Sequence, residues 1–300
     1  MATYTIKDLE KLSGIKAHTI RIWEKRYGLI EPQRTSTNIR TYCDVDLKHL
    51  LNISFLNRHG LKISKIAQLS KDEVREKINH LQQNLSDVES QVESLAISMV
   101  ELDEDKFEKI LNRSVIQMGF EETFIKVIYP FFSKIGIMWQ TGAINPAQEH
   151  FVSNLIRQKL TVAIDSQLTL NGIEHKSFLL FLPEGEMHEL GLLFFAYLIK
   201  KRGHKLIYLG QSVPLADVVE INKIRPTDYI VTAFVSSFNG KDVYSYVLNL
   251  SEKLHINKLY ISGSQTDSLT HEELPSQVKI ISSPVEFVEI LNNIPNKSLN

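Results

Sequence analysis

The 300-residue chain has one cysteine, Cys43, no apolar run long enough to cross a bilayer, and almost no net charge, at −1. A lone cysteine forms no internal disulfide and excludes cysteine-rich metal clusters, which suits a reducing compartment. Without roughly 18 consecutive apolar residues there is no candidate membrane helix, and the opening MATYTIKDLEKLSG has neither the basic nor the apolar stretch of an export signal. The expected location is cytoplasmic, with no membrane partner. The near-zero charge conceals an asymmetry: residues 1–75 carry 14 Lys and Arg against 8 Asp and Glu, whereas residues 76–300 carry 20 against 27. A basic head on an acidic body points to a polyanion partner for the head alone. What is abundant is hydrophobic sequence, 43% of the chain, enough for more than one compact core.

In the head, Thr5 and Asp8 have the spacing of a capping box that opens a short helix, and Ser13-Gly14 ends it. A second helix runs through AHTIRIWEKRYG. It turns Ile20 and Trp23 inward and leaves Arg21, Lys25 and Arg26 to face out, until Gly28 closes it. That is helix-turn-helix patterning. A polar, turn-rich stretch between Leu29-Ile30 and Ile39–Tyr42 reads as a hairpin carrying Arg34 and Arg40, in reach of phosphates. Helices follow through DVDLKHLLNISFLNRHG, with Asp44 as the expected N-cap, and through LKISKIAQLS.

The order and spacing of YTIKDLEKLSGIKAHTIRIWEKRYGLIEP and NIRTYCDVDLKHL, over about residues 3–70, resemble the MerR family of winged-helix regulators. The resemblance implies a dimer whose second helices and wings bind a pseudo-palindromic promoter. It makes Arg21, Lys25, Arg26, Arg34, Arg40 and Tyr42 the expected DNA-facing set.

From 72 to about 172 the pattern is helical. Val74, Ile78, Leu81, Leu85, Val88, Val92 and Leu95 form an a/d-like seam. The seam is either one long dimerisation helix or a helix that breaks near Ser86 and begins a bundle. Apolar faces on later helices, at about 103–118, 121–140 and 145–170, favour a four-helix bundle.

The last segment alternates strand and helix: KSFLLFLPEG, HELGLLFFAYLIKKRG, KLIYLG, PLADVVEINKIRP, DYIVTAF, a helix near 240–254, KLYISG, VKIISSP and a final helix. Near-continuous apolar strands separated by helices predict a doubly wound parallel sheet. The first strand-to-helix turn is PEGEMHELG, not the Gly-rich turn of a dinucleotide site, so nicotinamide and flavin are not expected.

Glu186, His188 and Gly191 form Glu-x-His-x-x-Gly, which resembles the Asp-x-His-x-x-Gly signature of cobalamin-binding domains. In that family the histidine is the lower axial ligand to cobalt, and the displaced nucleotide tail enters a slot beside the sheet. A neutral imidazole coordinates through one nitrogen while a carboxylate holds the other. The family's Ser-x-Leu and Gly-Gly correspond in spacing to Thr232-Ala233-Phe234, with forty residues between Gly191 and Thr232, and Ser262-Gly263, with twenty-seven between Phe234 and Ser262. Phe234 and Ser262 are bulkier than the pattern, which implies a tighter slot. Ser212, in LGQSVPLADVV, corresponds to a loop over the corrin edge.

MWQTGAINPAQEHF separates Trp139 from Glu149-His150 by nine intervening residues, an arrangement that resembles the upper-face motif of CarH-type photoreceptors, also called the CarA or LitR group. The resemblance implies that Trp139 packs on the adenosyl group of adenosylcobalamin, Glu149 bonds its hydroxyls, and His150 takes the upper cobalt position after light. The expectation is a multidomain α and α/β protein: a MerR-type winged helix over 1–75, a four-helix bundle over 76–173 and a Rossmann-like cobalamin-binding domain over 174–300. Its expected function is a non-enzymatic, light-responsive repressor that binds promoter DNA as a homodimer or homotetramer. A corrinoid methyl-carrier fusion and a regulator whose cobalamin-like domain has lost its cofactor remain as alternatives.

Overall fold

The computed structural model describes residues 4–35, 38–82, 88–140, 144–167, 175–236, 242–254, 258–270 and 272–294. The chain divides into two compact units, Met1–Asn154 and Leu155–Asn300.

The first unit begins with α1 (Ile6–Ser13) and α2 (Ala17–Tyr27), closed by left-handed Gly14 and Gly28. Thr5 and Asp8 form the capping box: the Thr5 N–H donates to Asp8 Oδ2 at 2.8 Å, and the Asp8 N–H to Thr5 Oγ1 at 3.3 Å. Lys16 offers α2 no side-chain cap, and Glu10 of α1 substitutes by accepting from the Ala17 N–H at 3.0 Å. Strands β1 (Gln33–Arg34) and β2 (Arg40–Thr41) pair as the expected antiparallel hairpin, and a bridge from Tyr4 to Tyr42 ties it to the start of the head.

α3 (Asp44–Arg58) corrects one expectation: the N-cap is Cys43, whose N–H donates to Asp46 Oδ2 at 2.8 Å, and Asp44 is the first helical residue. The acceptor three positions along decides which residue caps. α4 (Ile63–Ile66) and α5 (Lys71–Gln82) complete the head, with Val74 and Ile78 of α5 buried. The seam continues in a separate helix, α6 (Val88–Glu101); Leu85 and Ser86 lie outside the described residues. α6 is buried continuously from Ser90 to Met99 because α3, α5, α7 (Glu104–Met118) and α9 (Tyr129–Gln140) all pack on it. A helix covered on all sides belongs at the centre of a core. Between α7 and α9 lie α8 (Phe120–Thr123) and a π-helical turn, Phe124–Ile128. α10 (Pro146–Asp165) spans the division between the units.

The second unit is a five-stranded parallel sheet in the order β4-β3-β5-β6-β7, from β3 (Ser177–Pro183), β4 (Lys205–Val213), β5 (Tyr229–Ala233), β6 (Lys258–Ser262) and β7 (Val278–Ile281). Helices α11 (Leu190–Lys201), α12 (Leu215–Ile224), α13 (Val243–Lys253) and α14 (Pro284–Asn292) alternate with the strands. β3 is buried from Phe178 onward, as a strand covered on both faces must be. The chain leaves β3 toward β4 on one side, and β5 lies on the other. Their carboxyl ends therefore flank the topological switch point, where loops diverge and leave a crevice. Among the described residues no helix is long and apolar enough to cross a membrane.

Candidate cofactor site and DNA-reading face

Beyond β3 the chain turns through Gly185, at φ 89°, and brings Glu186 back under the sheet end, where it is 1% exposed. A carboxylate so deeply buried survives only if it is fully bonded. Glu186 Oε1 accepts from the Met187 N–H at 2.9 Å, the His188 N–H at 3.0 Å and His188 Nδ1 at 2.7 Å. Oε2 reaches across the switch point to the end of β5, accepting from the Val235 N–H at 2.8 Å, the Ser236 N–H at 2.8 Å and Ser236 Oγ at 2.9 Å. Burial alone pushes this carboxyl upward. The bonds from His188, Ser236 and Val235 outweigh it and hold the group far below the usual carboxylate range.

An ionised carboxylate can only accept, so Nδ1 of His188 carries a proton, and in the neutral form of the ring the lone pair is on Nε2. The ring itself is 60% exposed. The loop is stapled to the end of β4: Ser212, at φ 53°, accepts from the Gly185 N–H at 3.1 Å and donates its own N–H to the Glu186 carbonyl at 3.2 Å. Gln211 Nε2 donates to the Met187 carbonyl at 2.6 Å. The Ser212 side chain thus serves the loop. Glu189, next to the histidine, accepts from the Tyr208 hydroxyl at 3.0 Å and pairs with Arg157 of α10 at 2.8 Å. Burial pushes the Tyr208 hydroxyl well above its ordinary range, which keeps it a donor.

The other sheet residues behave unequally. A Cβ on Gly191 would meet open space at the start of α11. Thr232 is fully buried, and its Oγ1 has no hydrogen-bond partner among the described residues. Gly263, at φ 101°, lies against the Phe234 backbone: a Cβ there would stand 2.3 Å from the Phe234 carbonyl oxygen, so glycine lets the chain leaving β6 lie close to the chain leaving β5. Phe234 is core, edge-on to Tyr246, and Ser262 is buried beside it.

In the first unit, Trp139 falls at the end of α9, its side chain outside the described residues. Glu149 and His150 occupy the first turns of α10. Glu149 Oε1 accepts from Ser153 Oγ and Oε2 faces His150 Nδ1 at 3.1 Å, with His150 73% exposed.

On the head, Arg21, Lys25, Arg26 and Arg34 are exposed, and Arg34 donates to Asn38 Oδ1 at 2.7 Å. Arg40 is half-buried against Glu24, its Nε 3.1 and 3.2 Å from the two carboxylate oxygens. Tyr42 corrects the expected DNA-facing set: it is 1% exposed and belongs to the core of the head, because the bridge to Tyr4 turns its ring inward. The sequence reasoning missed Val235 and Ser236, 49 and 50 positions beyond Glu186. The Ser-Ser directly after the apolar strand was their only local sign.

A helix-turn-helix head joined to a helical segment and a parallel sheet, with a carboxylate-held histidine at the switch point, defines the class as a DNA-binding regulator with a cofactor-type domain. Comparison with known proteins makes this specific. The MerR HTH family of regulatory proteins matches residues 4–73, and the B12 binding domain matches residues 91–164, from α6 into α10. The HTH-type transcriptional repressor CarH of Myxococcus xanthus is 28% identical over 270 residues, 84% of this chain and 85% of that protein. CarA of the same organism, also an HTH-type transcriptional repressor, is 27% identical over 237 residues, 78% and 77% of the two chains. The monomethylamine corrinoid protein of Methanosarcina barkeri shares the fold, with a TM-score of 0.56 at 15% identity over 70% of this chain and all of that one. The chain is a MerR-type transcriptional regulator with a B12-binding domain, homologous to CarH and CarA and matching the CarH type over most of its length.

Proposed function

We propose that this regulator is a light-responsive repressor that binds promoter DNA in the dark with adenosylcobalamin and releases it on illumination. The observation that carries the cofactor half of the reading is the Glu186–His188 pair, which fixes the tautomer and presents Nε2 from an exposed ring. Among the described residues no cluster of three or more His, Cys, Asp or Glu is placed to hold a metal ion. A corrin cobalt needs only one such nitrogen, because the macrocycle furnishes the others. The donor set therefore fits a single-nitrogen ligand to cobalt, and the unpartnered Thr232 hydroxyl would offer a polar tail group a buried acceptor or donor.

Bound adenosylcobalamin supplies a cobalt–carbon bond that visible light breaks. The chain's own residues do the rest. His188 would hold the cobalt through Nε2, and Glu186 keeps the ring oriented. Trp139 would shelter the adenosyl group, burying apolar surface worth about 2–3 kcal/mol. Glu149 would exchange its bond with Ser153 or His150 for the adenosyl hydroxyls, and His150 would be the residue to ligate cobalt after light. Ser212 acts on the cofactor indirectly, by holding the loop that carries His188. The regulatory effect is limited by the difference in affinity between the two states of the protein. If the dark state joins dimers into a homotetramer, several heads engage one operator and avidity exceeds a single head by ~10²–10⁴-fold. The protein acts in the cytoplasm and has no enzymatic activity in this reading.

A second reading, a regulator that no longer takes cobalamin, is favoured by one observation: the Phe234 backbone fills the space in front of Gly263, and Phe234 itself is core. A methyl-carrier role would require methylcobalamin in place of the adenosyl form. The test loads the full chain with adenosylcobalamin in darkness and follows absorbance, size and binding to DNA upstream of its own coding sequence, before and after illumination. Wild type is expected to be red, to change size and to release DNA. His188→Ala should lose pigment and light-dependent release together; if both persist, the proposal fails.

A further inference from the structure

Arg58, the last residue of α3, reaches two places at once. Its Nη2 donates to the Ser13 carbonyl at 3.1 Å, in the turn between α1 and α2. Its Nη1 pairs with Glu89 at 2.9 Å and with Glu93, both on α6. Gly14 makes room for this: at φ 71° it carries no side chain, and a Cβ there would come within 2.4 Å of Arg58 Nη2. The same Ser13 carbonyl also accepts from Ser54 Oγ at 2.9 Å. Ser13 is buried, its Oγ donating to the Leu9 carbonyl at 2.6 Å and accepting from the Ile15 N–H at 3.2 Å. The turn that sets the angle of α2 is therefore held by several bonds, and through Arg58 one of them connects onward to α6.

The pairing is not an isolated surface contact. Glu89 is 78% exposed and counts for little, but Glu93 is 9% exposed and sits in the continuously buried stretch of α6. His59 Nε2 lies 2.8 Å from Ser90 Oγ, and Lys48 pairs with Glu101 at 3.1 Å, so α3 runs antiparallel along α6 and is tied at both ends. Lys134 of α9 contributes to the same cluster: burial lowers its ammonium, while the Glu93 carboxylate works to keep it charged. Arg58 falls within the residues matched by the MerR family and Glu93 within those matched by the B12 binding domain.

We propose that Arg58 is a positioning residue of the DNA-reading face: its guanidinium, anchored by Glu93 on α6, holds the Ser13-Gly14 turn and thereby the angle of α2. A planar fork of five N–H donors can serve a carbonyl and a carboxylate together, which a lysine ammonium on one flexible stem does poorly. The central helix of the B12-binding region thus helps to set how the head meets DNA. The inference stands without the cobalamin reading, since it rests on contacts inside one compact unit.

The test uses the full chain with three substitutions. Glu93→Gln keeps shape and removes the anchoring charge; Arg58→Lys keeps charge and removes the fork; Glu122→Gln breaks the exposed Glu122–Lys126 pair of the bundle as a control. Each is read by amide exchange at residues 14–20, and by Kd for two duplexes of equal length. One duplex is selected from a random-sequence pool by the wild-type chain, and the other is unrelated. Glu93→Gln and Arg58→Lys should speed exchange at the turn and weaken the selected duplex by on the order of 5- to 20-fold, a usual size for coupling between sites. The unrelated duplex, held by phosphate contacts, should change by less than about twofold. Unchanged exchange, faster exchange without loss of affinity, or equal loss on both duplexes overturns the proposal. Should one variant not fold, the other decides.

Discussion

Two histidine–glutamate pairs sit in this chain, and they are built on opposite principles. At the sheet, His188 leans on a carboxylate that is 1% exposed and accepts from six donors, on Met187 and His188 of its own loop and on Val235 and Ser236 just beyond β5. On α10, His150 and Glu149 form a neighbouring pair, 73% and 30% exposed, with Ser153 as the one further partner described. The first pair is rigid before any ligand arrives; the second is free to re-form. A permanent ligand gains from the first arrangement, because orientation is settled in advance. A ligand that must change partners gains from the second, because an exposed pair costs little to break.

Substitutions at the two pairs should therefore differ greatly, and the largest difference is at Glu186. Replacing it by alanine strands six donors at the switch point, with an expected cost of about 3 kcal/mol to the sheet unit. It should also cost roughly 10–100-fold in cobalamin affinity. Amide protection of β3 and β5 and a dark titration with the cofactor measure the two effects. A stability loss below about 1 kcal/mol would mean that the bonding observed around Glu186 is not what organises the loop.

Gly263→Ala asks whether the switch point tolerates crowding without any change of charge. With the Phe234 carbonyl 2.3 Å from the new Cβ and φ at 101°, the expected destabilisation is roughly 2 kcal/mol. Retained protection of β5 and β6 would show that this close approach relaxes at little cost.

Acid offers a milder probe of the same contrast. Glu186 is held below its ordinary value of 4.5, so its contribution is complete above that value and fades as pH falls through it toward the depressed folded value. Protection of β3 and β5 should drop as pH is lowered below about 4.5 in wild type. Glu186→Gln should be less stable at neutral pH and flatter across that range. Equal acid sensitivity in the two proteins would sink the assignment.

The smallest expected effect belongs to the exposed pair. His150→Ala should change the stability of the first unit by less than about 0.5 kcal/mol, read by thermal unfolding through Trp23 and Trp139 fluorescence. A loss above 1 kcal/mol would erase the distinction between the two pairs.

What the sequence determined by itself was local. The Thr5–Asp8 box, the left-handed glycines 14 and 28, the inward Ile20 and Trp23, and the alternation of apolar strands with helices are set by residues within a few positions of one another, and each was legible. Glu186 with His188 belongs to this group, being two positions apart. The tertiary structure decided whatever required distant segments to meet. It turned Tyr42 into the core through Tyr4, spent Arg40 on Glu24, closed the switch point on Glu186 from Val235 and Ser236, and joined Arg58 to Glu93. None of these has a spacing rule, because a hydrogen bond between segments tens of residues apart depends on where the folded backbone brings them and not on the chain between.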